Sequence, residues 1–197
     1  MKPTILAIHA SERDGNTHVL LEQAILGAEE AGARVERIVV REKIFSPCTA
    51  CEMCSGTGVC VINDDMTEIY RALTQNDHVI VAAPIYFWSL PGRFKCLIDR
   101  CQAFWYRKFI LRKPVAANPS GAERLGAFLS CCGHADGDRI FPYAEKTIRA
   151  FFNCLDVRLQ HTLYAPNTDS AGDILKDPNL LKQARVIGVG LAKSQIG

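Results

Sequence analysis

What most limits the folds open to this chain is its alternation of short, uniformly apolar runs with longer stretches whose apolar residues recur at helical spacing. The short runs fall at residues 4–8, 35–40, 79–83, 125–131 and 157–164 and have the length of strands. In residues 16–32, Leu20, Leu21, Ala24, Ile25, Ala28 and Ala31 share one helical face, and Gly32 supplies a stop. Asp64 or Asp65 caps a second helix with Met66, Ile69, Tyr70 and Leu73 inward. A third is expected over 91–101 (Phe94, Leu97, Ile98, Cys101) and a fourth over 143–155 (Ile148, Phe151, Phe152, Leu155). Residues 179–192 close the series. The run 79–83 is apolar throughout, as a strand covered on both faces must be. Right-handed crossovers then dictate an α/β fold, a three-layer, doubly wound, five-stranded parallel sheet of order 2-1-3-4-5. Ligands of such sheets sit beyond the carboxyl ends of the strands, where the order reverses between strands one and three. Segments 104–124 and 165–178 do not fit the plan and read as surface excursions, the first shaping a subunit interface or a lid.

At 197 residues and 48% apolar, the chain is expected to form one domain over 1–197, without internal repeats. Its 23 Lys and Arg against 21 Asp and Glu leave a net charge of +2, which argues against nucleic acid or an anionic membrane as a partner. The longest apolar run, residues 79–88, is too short to span a bilayer and contains Pro84. Lys2 and residues 5–8 make too little of a secretory signal, so a cytoplasmic protein is expected.

Nine cysteines are many for such a protein, and four fall close together: Cys48, Cys51, Cys54 and Cys60. They occupy a loop, 47–62, inserted after strand two, with Pro47 before them and Gly56 and Gly58 inside. Two-residue gaps let successive thiolates reach adjacent corners of a cubane, and a longer glycine-bearing gap lets the chain swing to the last, as a [4Fe–4S] cluster requires. Four-cysteine zinc sites use two knuckles farther apart. A zinc site, a Cys51–Cys54 redox disulfide, or no metal at all stays open on spacing alone. Cys96, Cys101, Cys131, Cys132 and Cys154 lie in apolar segments and read as packing.

Two further loops carry chemistry. After strand one, Ser11, Arg13, Gly15, Asn16 and Thr17 lead into a helix, and free amides with neutral hydroxyls there suit a phosphate. An ordinary helix cap is the plainer reading of the same residues. Neither a Gly-x-Gly-x-x-Gly nor a Walker lysine is present. After strand three, Pro84, Ile85, Tyr86, Phe87 and Trp88 offer a rigid apolar surface for a flat ring such as a flavin; an aromatic core plug is the alternative.

The Ser-x-Arg…Gly-Asn-Thr loop, the Pro-x-Tyr-aromatic loop and the compact cysteine motif together resemble the flavodoxin-like NADPH-dependent FMN reductases and their iron-sulfur flavoprotein branch. The likeness runs over residues 4–192. It departs in one fewer residue between Arg13 and Gly15 and in Ala10, where many members have Gly. The resemblance implies FMN phosphate on Ser11, Arg13, Asn16 and Thr17, the ring beside Pro84 to Trp88, and the amides of Cys132, Gly133 and His134 near it. His134 reads either as a proton donor or as a plain surface group. The resemblance also implies cluster ligation by the four cysteines and a homodimer or homotetramer with FMN at a subunit interface. Its electrons would pass between flavin and cluster, from a ferredoxin-like partner or a transiently stacked NAD(P)H to a small oxidant. Two rivals are a cluster-free NAD(P)H-dependent FMN or quinone reductase and a non-catalytic carrier like flavodoxin, whose usual acidity a charge of +2 does not match. A zinc-stabilised nucleotide-binding module is the third. No essential catalytic side chain is expected.

Overall fold

The computed structural model describes residues 2–116 and 123–194. Its sheet has five parallel strands in the order β2-β1-β3-β4-β5: β1 Thr4–His9, β2 Arg34–Val39, β3 His78–Ala82, β4 Arg124–Cys131 and β5 Val157–Ala165. The two-residue period of a strand sorts their side chains into two cores. Ile5, Ala7, Ile80, Ala82, Ala127 and Leu129 pack under α1 (Asn16–Glu30) and α6 (Pro178–Lys193). Leu6, Ile8, Val79, Val81 and Phe128 pack on the other face under α2 (Met66–Gln75), α3 (Gly92–Arg100) and α5 (Gly137–Cys154). The expected doubly wound, flavodoxin-like fold is therefore the observed one. Among the described residues, no helix is long and apolar enough to cross a membrane.

Three local expectations change. Helix α5 begins at Gly137, a turn and a half before residue 143, with Pro142 inside it. Proline at this sixth helical position removes the bond to the carbonyl four residues back and crowds that carbonyl, so its sequence signal is that of a boundary, yet the helix runs through it. Segment 104–124 is not an excursion at its outset. Helix α4 (Gln102–Trp105) and a π-helical turn (Tyr106–Ile110) continue from α3, anchored by buried Ala103 and Phe104. Residues 117–122 of that segment lie outside the described residues. Segment 165–178 folds back on the start of α1 instead of running free: Asn16 Nδ2 donates to the carbonyls of Thr168 and Ser170, and its Oδ1 accepts from the amides of Gly172 and Ile174.

Candidate functional site

The loops after β1, β3, β4 and β5 converge at the carboxyl edge of the sheet, as parallel topology requires. They enclose a cavity of about 80 Å³ lined by Ser11, Arg13, Asn16, Thr17, Pro84, Ile85, Tyr86, Cys132 and Gly133, together with Thr168 and Asp169. Helix α1 starts at this cavity with Gly15 as its cap and no side chain capping it, although Asn16 and Thr17 are buried. A buried helix start left uncapped presents amides and a positive dipole end to an anion. Ser11 is buried beside it, and Arg13 reaches across to donate to the Asp169 carbonyl at 3.2 Å. Asn16 has its side-chain amide and carbonyl committed to the 168–174 segment, so its backbone amide is what remains for a ligand. Gly133 packs closely here: a Cβ would stand 2.8 Å from Asp169 Oδ1 and would have to displace that side chain.

The aromatic loop closes as a two-residue turn. Tyr86 and Ser89 exchange backbone hydrogen bonds of 2.9 Å, with Phe87 and Trp88 both at positive φ (48° and 63°). Such a turn favours Asn or Gly, and carrying two aromatics stores strain of about 1–3 kcal/mol per residue. It leaves Phe87 fully exposed, at 101%. Phe87 and Trp88 therefore stand outside the small cavity. Trp88 instead packs edge-on to Tyr143 (5.3 Å) and borders an open groove with Arg139 and Lys146. His134 is exposed too, and its Nδ1 accepts from the Asp136 amide at 3.0 Å, which orders the loop. Burial pushes the Cys131 thiol beneath the cavity up to about 11, so it stays a neutral packing group at ordinary pH.

The four clustered cysteines line a second, larger cavity of about 390 Å³. Its other walls come from Asp99 and Arg100 of α3 and from Gln102, Ala103 and Tyr106 of the segment that follows. Positive φ at Ala50, Glu52 and Gly58 curls the loop around it, and a Cβ on Gly58 would strike Arg107 Cβ at 2.7 Å. The loop is clasped at its base by Arg100. This guanidinium, only 1% exposed, donates to both Asp64 carboxylate oxygens (2.7 and 3.2 Å) and to the Ser46 and Ile62 carbonyls. Burial works against its charge but is outweighed by the Asp64 hydrogen bonds and by Cys60, which hold it protonated above its ordinary value. The same burial raises the Cys54 thiol, and the charges of Cys60, Cys48 and Cys51 raise it further. A thiol placed as Cys54 is stays neutral unless a cation compensates its ionisation.

Among the described residues, three or more ligand atoms come within 4.8 Å of one another only at His9, Asp14 and His18. No three cysteine sulfurs are that close. Tetrahedral zinc, with Zn–S of about 2.3 Å, needs sulfurs about 3.8 Å apart, which the thiols as placed here do not offer. At His9 and Asp14 the cation is already supplied: Arg41 Nη1 lies 2.9 Å from Asp14 Oδ1 and 3.3 Å from His9 Nδ1.

Sequence reasoning missed Thr168 and Asp169, as well as Arg100, Gln102 and Tyr106. The first pair had a topological signal, because the loop after β5 emerges at the same sheet edge. The second set had none in composition.

The profile of the NADPH-dependent FMN reductase family matches residues 3–139. An iron-sulfur flavoprotein of Methanosarcina thermophila is 32% identical over 78% of this chain and 73% of its own length. One from Methanocaldococcus jannaschii is 32% identical over 62% of this chain and 64% of its own. Among solved structures, an azoreductase of Bacillus anthracis superposes with a TM-score of 0.68 at 13% identity, covering 95% of this chain and 99% of that one. An NAD(P)H:quinone oxidoreductase of Methanothermobacter marburgensis gives 0.68 at 17%, covering 98% and 96%. These two likenesses speak to the fold alone. With the cavity at the sheet reversal and the family match over most of the same elements, the chain belongs to the NADPH-dependent FMN reductase family, in its iron-sulfur flavoprotein branch, as an FMN-dependent oxidoreductase.

Proposed function

We propose that the chain passes electrons between FMN, its phosphate seated among Ser11, Arg13, Thr17 and the first amides of α1, and a [4Fe–4S] cluster on Cys48, Cys51, Cys54 and Cys60. The observation that carries this reading is that these four of the nine cysteines, and no other cysteine, line one cavity. The small cavity suits a phosphate and its ester carbon and is too small for a tricyclic ring. The ring then lies at its mouth, against Ile85 and Tyr86 and the backbone of Cys132 and Gly133. Bound flavin exchanges one or two electrons and a cubane one, so the pair converts hydride chemistry into single-electron chemistry.

The chain's own part is placement. Asn16 holds the 168–174 segment over the phosphate, the strained 86–89 turn fixes the ring surface, and the Arg100 clasp holds the cysteine loop closed. The family supports a nicotinamide donor. We assign NAD(P)H that role, a ferredoxin-like protein as the alternative source, and a small oxidant as acceptor. A second copy of the chain covers the exposed turn, since a fully solvated Phe87 beside half-exposed Tyr86, Trp88 and Tyr143 forms a patch typical of an interface. Phe87→Ser is expected to shift the sedimentation coefficient to that of a monomer; an unchanged assembly removes the turn from the interface.

The deciding measurement is an anaerobic visible spectrum with iron, sulfide and flavin quantitation. About four irons and one FMN per chain are expected, following the cluster stoichiometry. Cys60→Ala should lose iron and keep FMN. A yellow, iron-free wild-type protein discards the cluster, and a protein with no flavin discards the whole reading.

A further inference from the structure

Beside the aromatic turn lies a groove of about 390 Å³ lined by Trp88, Arg139, Pro142, Tyr143 and Lys146, which the electron path described above does not use. It adjoins the FMN cavity: Tyr86 lines the one and Trp88 the other, and the backbone hydrogen bonds between Tyr86 and Ser89 join the two in one tight turn. Two residues of chain span at most about 7 Å, so the groove opens directly off the surface assigned to the flavin ring. Its chemistry is that of an aromatic corner with a cationic rim. The Trp88 and Tyr143 rings meet at 71° and are about half exposed (48% and 55%), so a flat base can lie on one with its edge toward the other. Lys146 Nζ stands 6.0 Å from the centre of the Tyr143 ring, and its neighbour Glu145 is turned away to Arg149 and Tyr164. Arg139 is exposed, and its one ion pair among the described residues is Asp136 Oδ2 at 3.6 Å, beyond hydrogen-bond length. No carboxylate is among the described residues that line the groove.

We propose that Arg139 and Lys146 are specificity-determining residues for the nicotinamide donor: they bind the 2′-phosphate of NADPH, with its adenine against Trp88 and Tyr143, and so discriminate against NADH. This rests on the nicotinamide donor assigned above, and adds which of the two dinucleotides is taken and by which side chains. The two donors differ only in that phosphate, which carries about 1.5 to 2 negative charges at pH 7. The cations stand seven residues apart on α5, two turns and about 10 Å along one face, with Tyr143 between them. Two side chains of this length close that gap over a phosphate, the guanidinium gripping its oxygens in pairs and the ammonium adding a point charge. Neither cation gives up a strong internal bond to do so. Asp136 is the described carboxylate that opposes them, and its partial exposure screens its repulsion. Phe87, the outermost residue of the subunit contact assigned above, is not part of the groove, whereas Trp88 and Tyr143 belong to both, so the groove borders that contact.

The test uses the whole FMN-loaded protein, mixed anaerobically with NADPH or NADH in a stopped-flow instrument. The concentration dependence of flavin bleaching gives an apparent Kd and a limiting rate for each dinucleotide. Wild type should bind NADPH about tenfold more tightly than NADH, at similar limiting rates. Lys146→Gln and Arg139→Gln should each weaken NADPH by about tenfold and leave NADH and both limiting rates unchanged. Lys146→Glu should place NADPH below NADH. Raised salt should weaken NADPH more than NADH. A merely structural role would weaken both dinucleotides alike. Adenosine 2′,5′-bisphosphate should compete with NADPH better than adenosine 5′-monophosphate does, and lose that advantage in Lys146→Gln. FMN content should be equal in all variants, since both side chains stand outside the phosphate cavity. Equal affinity of wild type for NADPH and NADH overturns the proposal, as does a preference that survives both glutamine substitutions, and either leaves the FMN and cluster assignments standing. A protein that holds FMN but is bleached by neither dinucleotide removes the nicotinamide donor and this role together, and leaves the ferredoxin-like source.

Discussion

The most perturbed histidine in the molecule is His9, the last residue of β1 and only 3% exposed. Burial, followed by the charges of His18 and Arg41, lowers its pKa from 6.5 to about 4, while Asp14 pulls weakly the other way. The unfolded chain therefore binds a proton on this residue between pH 6.5 and 4 that the folded chain refuses. Stability is full above about pH 6.5 and falls as the pH drops toward 4, by about 3 kcal/mol for a shift of this size. His78 and His161, whose values burial also lowers, add to the same trend. Urea unfolding of His9→Asn between pH 4.5 and 7.5 should show a flatter dependence than wild type; parallel curves would mean His9 is protonated in the fold. Asn16 makes the second prediction at this scale. Its four hydrogen bonds tie the 168–174 segment to α1, and Asn16→Ala leaves buried backbone groups without partners. A loss of about 2–4 kcal/mol is expected, with weaker FMN binding because Thr168 and Asp169 lose their support. Unchanged flavin affinity, read by fluorescence quenching, would separate this clamp from the cavity.

At the scale of elements, the closest packing is between α1 and α6. A Cβ on Gly188 would collide with the Ala24 carbonyl oxygen and one on Gly27 with that of Arg185, so the helices touch through two glycines and can approach only while both lack side chains. Because backbone, not a flexible side chain, is what each Cβ would meet, Gly27→Ala and Gly188→Ala should each cost about 2–3 kcal/mol despite alanine's better helix propensity. At this chain length that lowers the melting temperature by roughly 4–12 °C. Elsewhere Arg124, buried without a carboxylate, donates to carbonyls of Leu73, Asn76 and Leu155 at the ends of α2 and α5. There its charge meets two helix C-termini at once. The strand series and its order were legible because burial on two faces leaves uninterrupted apolar runs, as at Val79–Ala82. The start of α5 was not, because Pro142 reads as a helix boundary and the helix nevertheless runs through it from Gly137. Helix α4 was not either, since four residues carry too little period to be distinguished from the basic stretch around them.

Seen whole, the molecule divides into a sheet with two cores and a loop that belongs to neither. No residue between 47 and 62 is part of either core, and the loop's own bonds are short-range, such as Ser55 N to Glu52 O and Gly58 N to Cys54 O. That division explains what could be read of the sites in advance. The phosphate loop and its neighbours follow from topology, because loops after parallel strands meet at one edge. The cysteines follow from spacing. Arg100 follows from neither, because its role exists only once α3 has been laid beside a loop some forty residues upstream. The division also dictates how the protein should lose its metal. Chelation of reconstituted protein should leave the far-ultraviolet circular dichroism and FMN content unchanged and the unfolding transition cooperative, with only a small drop in melting temperature. The loop should meanwhile become open to cleavage after exposed Glu52 or Met53, because the Asp64–Arg100 clasp holds its base and, on the reading proposed above, the cluster would hold its tip. Limited proteolysis with and without chelator, read by mass spectrometry, checks this directly. Loss of the sheet on chelation would mean that metal binding and folding are one event here, as in small zinc domains, and that the two cores are less self-sufficient than their burial indicates.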